Sequence, residues 1–242
     1  MSLAVPSAVT RLLIAHGTRD PAGAVVTERV AARARQALDV PVAVSYVDVR
    51  RPTPADALAE LPGRCVAVPM FLAAGYHVRV DVPEQLRATG RGDVAVAEAF
   101  GPDPLLVDAA VQRLQEAGAG ERDAVVLAVI GSSDRRAQAD SALAARRLGR
   151  ELGRPVTLAT TAMGGPRVPD AVARLRAEGA SRIAVASWLL APGLFHRRLA
   201  DCGADVVAEP LADHDAVLEL IAQRYSAAQR YSAALGAGSR TA

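Results

Sequence analysis

Short apolar runs and helix-period segments alternate along the whole chain. Runs at 10–15, 42–47, 64–71 and 94–99 are short and rich in Val, Leu and Ala, which suits buried strands. Between them, 22–38, 54–61, 82–89 and 103–118 place apolar residues three or four apart, the spacing of one helix face. The order then returns, with strand-like runs near 124–130, 156–161, 182–189 and 205–208 and helical segments near 134–152, 168–178, 196–202 and 212–234. Alternation of strand and helix predicts an α/β fold with mainly parallel sheets flanked by helices, because a crossover helix is what returns the chain to start a parallel neighbour.

The return is a duplication. An offset of 114 pairs Gly17 with Gly131, Thr18 with Ser132, Asp20 with Asp134, Pro41 with Pro155, Pro52 with Pro166 and Asp56 with Asp170. An offset of 117 to 119 pairs Phe71 with Trp188, Gly75 with Gly193, and His77 with His196 or its neighbour Phe195. Two tandem halves follow, 1–121 and 122–234, joined near Ala119-Gly120-Glu121, with 235–242 expected as a flexible tail. The helix at 103–118 suits packing on either half. A six-residue repeat, Arg224-Tyr225-Ser226-Ala227-Ala228 and Arg230-Tyr231-Ser232-Ala233-Ala234, reads as a terminal helix extension.

Composition narrows the function classes. With 51% apolar and 22% charged residues in 242, the chain is a globular protein, and its longest apolar runs, Val66–Tyr76 and Ile183–Phe195, are shorter than the roughly 18 residues of a membrane helix. The N-terminus carries no charged-then-apolar leader, so the expected location is the cytoplasm, with no membrane partner. A net charge of +2 and 3% aromatic residues argue against a nucleic-acid partner. All 28 basic residues are arginine, which excludes a Walker A loop and a Schiff-base lysine. Cys65 and Cys202 lie far apart with no C-x-x-C spacing and read as reduced, buried thiols.

Candidate chemistry sits at strand ends. His16 follows the first apolar run and precedes Gly17-Thr18-Arg19-Asp20, which opens a helix; His77 lies in the loop after the third run. Ligands bind at that edge of parallel α/β sheets, and two imidazoles there suggest metal chemistry. Asp48 adds a carboxylate after the second run. At the 114 offset His16 meets Ile130 and Asp48 meets Ala162, so the second half keeps at most His196 and a single site belongs to the first half. His214 reads as a helix start. A histidine phosphatase would need an arginine before its nucleophilic histidine, where this chain has Ala15.

Ala15-His16-Gly17-Thr18-Arg19-Asp20, Tyr46-Val47-Asp48 and Gly75-Tyr76-His77-Val78-Arg79 resemble the sirohydrochlorin chelatase family in its long, duplicated form, over about residues 10–232. The resemblance implies two chelatase-like halves with the active site in the interdomain cleft and no permanently bound cofactor. It implies insertion of Fe2+ into sirohydrochlorin to give siroheme without ATP, with Co2+ insertion for cobalamin synthesis as the alternative and a non-catalytic tetrapyrrole or metal carrier as the reading from another class. His16 and His77 match the family's histidines, and Asp48 stands where the family more often has Glu.

These residue types suit that chemistry. Metalation removes two protons from pyrrole nitrogens and exchanges metal-bound water for ring nitrogens, so imidazoles that bind weakly and accept protons near neutral pH are apt. His16, His77 and Asp48 are therefore the expected metal ligands and proton acceptors, with Fe2+ or Co2+ as the divalent substrate. The carboxylate-rich tetrapyrrole calls for cations and backbone amides, so Arg19, Arg50, Arg51 and Arg79, with Gly17, Thr18, Gly75, Tyr76, Ser132 and Ser133, are the expected substrate-binding residues. One chain supplies both sides of the cleft, so a monomer or weak homodimer is expected.

Overall fold

The computed structural model describes residues 9–238, with side chains through Arg230; the expectations for 1–8 and for the tail at 239–242 lie outside the described residues. The first half runs β1 (Thr10–Ala15), α1 (Pro21–Leu38), β2 (Val42–Tyr46), α2 (Pro54–Glu60), β3 (Cys65–Pro69), a π-helical turn (His77–Asp81), α3 (Val82–Ala88), β4 (Val94–Val96) and α4 (Pro104–Glu116). The second runs β5 (Ala124–Val129), α5 (Arg135–Glu151), β6 (Val156–Thr160), α6 (Val168–Ala177), β7 (Ile183–Ser187), α7 (Leu194–Arg197), β8 (Val206–Val207) and α8 (Asp215–Gly238). The last helix extends through the terminal repeat to Gly238. Each half is a parallel sheet, ordered β2-β1-β3-β4 and β6-β5-β7-β8.

Local chemistry sets the helix starts. Asp20 caps α1 by accepting from the Ala22 N–H, with Pro21 at the first helical position where no N–H is needed. Asp134 caps α5 in the same way, and Thr53 and Asp56 close a capping box on α2.

Strand alternation decides the packing. Leu12 and Ile14 of β1 face α2 and α3, while Leu13 and Ala15 face the opposite layer. In the second sheet Val126 and Ala128 face α6, while Val125, Leu127 and Val129 turn the other way. Those two inner faces share one core with α1, α4, α5 and α8. The helices that close each half are exchanged: α4 packs on β7 and α5, and α8 packs on α1, β3 and β4. Fully buried Leu220, Ile221 and Tyr225 seat α8, each aliphatic side chain contributing about 1.5–3 kcal/mol by burial. Arg224 adds an ion pair to Asp103 at 2.8 Å, with both side chains largely buried.

The duplication is visible bond by bond. Asp20 N–H donates to Thr18 Oγ1 at 3.0 Å, and Asp134 N–H donates to Ser132 Oγ at 3.0 Å. Asp48 N–H donates to the His16 carbonyl at 3.0 Å, and Ala162 N–H to the Ile130 carbonyl at 2.9 Å. Arg79 N–H reaches the Gly75 carbonyl at 3.2 Å, and Arg197 N–H the Gly193 carbonyl at 2.9 Å. The last pair fixes an offset of 118 for this loop, so Phe195 is the counterpart of His77, and His196 is that of Val78.

Candidate active site

Because β1 and β3 are neighbours in parallel register, Ile14 opposite Pro69, their carboxyl ends lie on one edge. His16 follows β1 directly. The loop after β3 turns back through Gly75 and Tyr76 to begin the π-helical turn with His77. That turn is closed by the Val82 N–H on the His77 carbonyl; Pro83, one residue further, has no N–H for the Arg79 carbonyl and crowds it, which widens the turn.

The two imidazoles meet. His16 Nε2 and His77 Nε2 are 3.2 Å apart, and the rings stand edge to face with centroids 4.5 Å apart. His77 Nδ1 lies 2.5 Å from the Asp81 carboxylate, and His16 Nδ1 lies 3.1 Å from the Gly17 carbonyl. Both partners are acceptors, so a neutral imidazole at either position would carry its hydrogen on Nδ1 and present its Nε2 lone pair to the other. Two lone pairs at that distance repel unless a cation sits against both. Two nitrogens bound in adjacent positions on one divalent ion at about 2.1 Å stand roughly 3.0–3.4 Å apart, which the pair already satisfies. Phe71 flanks both rings, 6.4 Å from His16 and 6.3 Å from His77.

The Asp48 side chain makes no hydrogen bond to either imidazole. Its carboxylate is exposed and accepts from the Val49 N–H at 2.7 Å, in a turn where Val49 takes a positive φ. Among the described residues no group of three or more His, Cys, Asp or Glu side chains is arranged to hold a metal ion. Sequence reasoning missed Asp81, although its spacing of four from His77 at a helix start was readable.

The two sheet edges face each other through pseudo-symmetric loops. Ala74 N–H donates to Asp140 at 2.8 Å, and a Cβ on Gly75 would lie 3.3 Å from Ala137 and 3.9 Å from Ser132 Oγ. From the other side Gly193 faces Thr18 and Asp20, and Arg197 pairs with Asp20, holding that carboxyl below its usual range. Gly17, at φ 97°, brings its backbone against the Asp48 carbonyl, where a side chain would overlap it; Gly131 does the same to Met163.

The expected arginines divide. Arg51 pairs with Asp56 at 2.7 Å, which commits it to α2. Arg50 donates to the Thr18 carbonyl at 3.2 Å and lies over the Tyr46 ring. Burial and the Glu28 carboxylate push the Tyr46 hydroxyl up to about 12, so it stays a neutral donor to Glu28. Among the described residues Arg19 and Arg79 have no acidic partner, although Arg197, the counterpart of Arg79, is held by Asp20. Ser132 spends its hydroxyl on Asp134, and Ser133 is exposed beside it.

Large apolar side chains are exposed in matched positions around this edge: Val49 with Met163, and Tyr76 with Leu194, alongside Ile130 in the place of His16. His196 leaves Nε2 buried without a partner, and His214 caps α8, its Nδ1 accepting from the Ala216 N–H at 3.1 Å. A cavity of about 690 Å³ between α4 and the start of α8 is lined by neither His16 nor His77. No helix among the described residues is long and apolar enough to cross a membrane, and both cysteines are free and buried.

Fold and site define a class: a duplicated parallel α/β protein with an imidazole pair at the edge where its halves face each other. The chain belongs to the CbiX family, whose profile matches residues 10–117 and again 124–228. It is 24% identical over 233 residues to the sirohydrochlorin ferrochelatase of Priestia megaterium, covering 88% of both chains. It is 30% identical over 129 residues to the sirohydrochlorin cobaltochelatase of Methanothermobacter thermautotrophicus, which spans 44% of this chain and 90% of its own. The fold is shared with SirB from Bacillus subtilis, solved with Fe3+, at a TM-score of 0.78 and 20% identity, covering 95% of this chain and 97% of that one.

Proposed function

We propose that the protein inserts Fe2+ into sirohydrochlorin to give siroheme, without ATP, at the His16–His77 edge. The observation that carries this reading is the 3.2 Å separation of the two Nε2 atoms, each with its Nδ1 engaged by an acceptor. In the proposed reaction the two imidazoles hold the ion in adjacent positions and leave the rest of its coordination to water and then to the ring nitrogens. The macrocycle lies against Val49, Tyr76, Ile130, Met163 and Leu194, with its carboxylates on Arg19, Arg79 and Arg50. As the metal moves into the ring, two pyrrole protons leave, and the vacated imidazoles accept them. Asp48, whose backbone N–H is bonded to the His16 carbonyl, would add a carboxylate at the same sheet edge only by releasing the Val49 N–H. No resident cofactor is needed, since the metal ion is itself a substrate.

Iron is preferred to cobalt because the relative matched across both halves is a ferrochelatase, whereas the cobaltochelatase relative has the length of one half. The test is an anaerobic absorbance assay with sirohydrochlorin and Fe2+, Co2+ or Ni2+, each against its uncatalysed rate. The expected result is acceleration, greatest with Fe2+ and lost in His16→Ala. Acceleration greatest with Co2+ would move the assignment to the cobalt reaction, and binding of the ring without acceleration would make the protein a carrier.

A further inference from the structure

We infer that Asp81 is the positioning residue for His77: its carboxylate fixes the imidazole as the Nδ1–H tautomer and turns the Nε2 lone pair toward His16. A carboxylate can only accept, so at 2.5 Å from Nδ1 it requires the proton to be there. A free neutral imidazole favours the other tautomer, with hydrogen on Nε2, which would block the atom that faces His16. Among the described residues the Asp81 carboxylate makes no other ion pair or hydrogen bond, and its side chain is 25% exposed, so the contact is partly shielded from water.

The second half supplies an internal comparison. At the offset of 118, His77 and Asp81 become Phe195 and Leu199, both packed in the apolar cluster behind the second sheet. The second half turns at the same place with apolar residues at both positions, Phe195 within α7 and Leu199 just after it, so a turn here does not by itself demand a histidine or a carboxylate. Imidazole and carboxylate occur together in the half that has His16, and both are absent from the half that has Ile130. An acid that served only the helix would have no reason to change with its neighbour four residues away. A carboxylate on the outer nitrogen of a ligating imidazole orients the ring and raises its basicity, and removal of such partners typically weakens metal binding about 10–100-fold.

This inference deepens the metal-site reading above and is tested separately from it. Long-range 1H–15N spectra of the full chain report which ring nitrogen of His77 carries hydrogen, and Co2+ titration followed by visible absorbance reports affinity. The wild-type protein is expected to show Nδ1–H at His77, Asp81→Ala to shift it to Nε2–H or a mixture and raise the Co2+ Kd about 10–100-fold. Asp81→Asn, whose carbonyl still accepts from Nδ1–H, should keep the tautomer and recover part of the affinity. An Nε2–H tautomer in the wild type, or a folded Asp81→Ala protein with unchanged tautomer and Kd, overturns the role of Asp81. Wild-type protein that leaves the His16 and His77 signals unmoved by Co2+ would instead defeat the metal-site reading.

Discussion

His16 Nε2 and His77 Nε2 lie 3.2 Å apart across 61 residues of sequence, one following β1 and the other opening the turn after β3. Adjacent parallel strands bring the loops together, and acceptors sit on both outer nitrogens, so the two inner nitrogens point at each other. In the proposed reaction neither imidazole can take the role of the pair, because each would supply a single ligand to a weakly held ion.

Replacing either histidine should therefore remove metal insertion. We expect His16→Ala and His77→Ala each to lower kcat/KM by about 100-fold or more, in line with the loss of a positioned acid–base group. His16 is exposed and His77 half-buried, so thermal unfolding should change little. His196→Ala should retain most of the rate, since its counterpart in the first half is Val78. Equal losses at His77 and His196, measured in the same assay, would contradict a single site.

The arginines should separate by what already holds them. Arg79 lacks an acidic partner among the described residues, whereas Arg51 is committed to Asp56. Arg79→Gln should raise the apparent KM for the tetrapyrrole about three- to tenfold with kcat nearly unchanged, the discount reflecting a half-exposed charge. Arg51→Gln should leave KM near wild type. Steady-state kinetics on the two variants decide between this division and a uniformly basic rim.

Much of this was readable along the chain. The αβ alternation and the 114 offset came from apolar spacing and from Gly, Pro and Asp at turns and caps, because those residues answer to local backbone demands. The exchange of α4 and α8 was not readable, because an amphipathic helix shows which face it buries and not against what. The rotamer of Asp48 was not readable either, because residue type and strand end do not reveal that its turn offers the carboxylate the Val49 N–H. The His77 counterpart was ambiguous by one residue until the Gly75 and Gly193 carbonyls fixed the register.

Gly17 should be far less replaceable than a glycine of positive φ with open space around it. At Gly153, φ 65°, a Cβ meets nothing within 4 Å, so Gly153→Ala should cost only the left-handed penalty of about 1–2 kcal/mol. At Gly17 the same atom overlaps the Asp48 carbonyl, and the backbone beside His16 must move. Gly17→Ala should therefore cost more than about 3 kcal/mol in urea denaturation and reduce metal insertion as well. Similar urea midpoints for the two variants would show that the loop yields without effect.

His214 should give the stability a pH dependence below neutrality. Burial, then the Arg113 charge, lowers its pKa from the ordinary 6.5, and its cap on Ala216 needs an unprotonated Nδ1. The unfolded chain binds this proton first, so the contribution is complete above pH 6.5 and is lost as pH falls from there through the folded-state pKa. His214→Asn retains a capping acceptor without the titration. Between pH 7.5 and 5.5 the urea midpoint of the wild type should fall further than that of the variant; parallel curves would remove His214 as the source.

The exchanged helices should make the two halves unfold together. Ile221 is fully buried on α8, which follows the second sheet in sequence and packs on the first. Ile221→Ala leaves a cavity in the core shared by both sheets and should cost about 2–5 kcal/mol, large for a residue near the end of the described chain. Since that core includes Leu13 and Val68 from one sheet and Leu127 and Ala186 from the other, loss of α8 exposes apolar surface on both. Unfolding followed separately by far-ultraviolet circular dichroism and by fluorescence of Trp188, which lies in the shared core, should give one coincident transition in wild type and variant alike. Two transitions, with only one moved by Ile221→Ala, would show the halves to be independent despite the exchange.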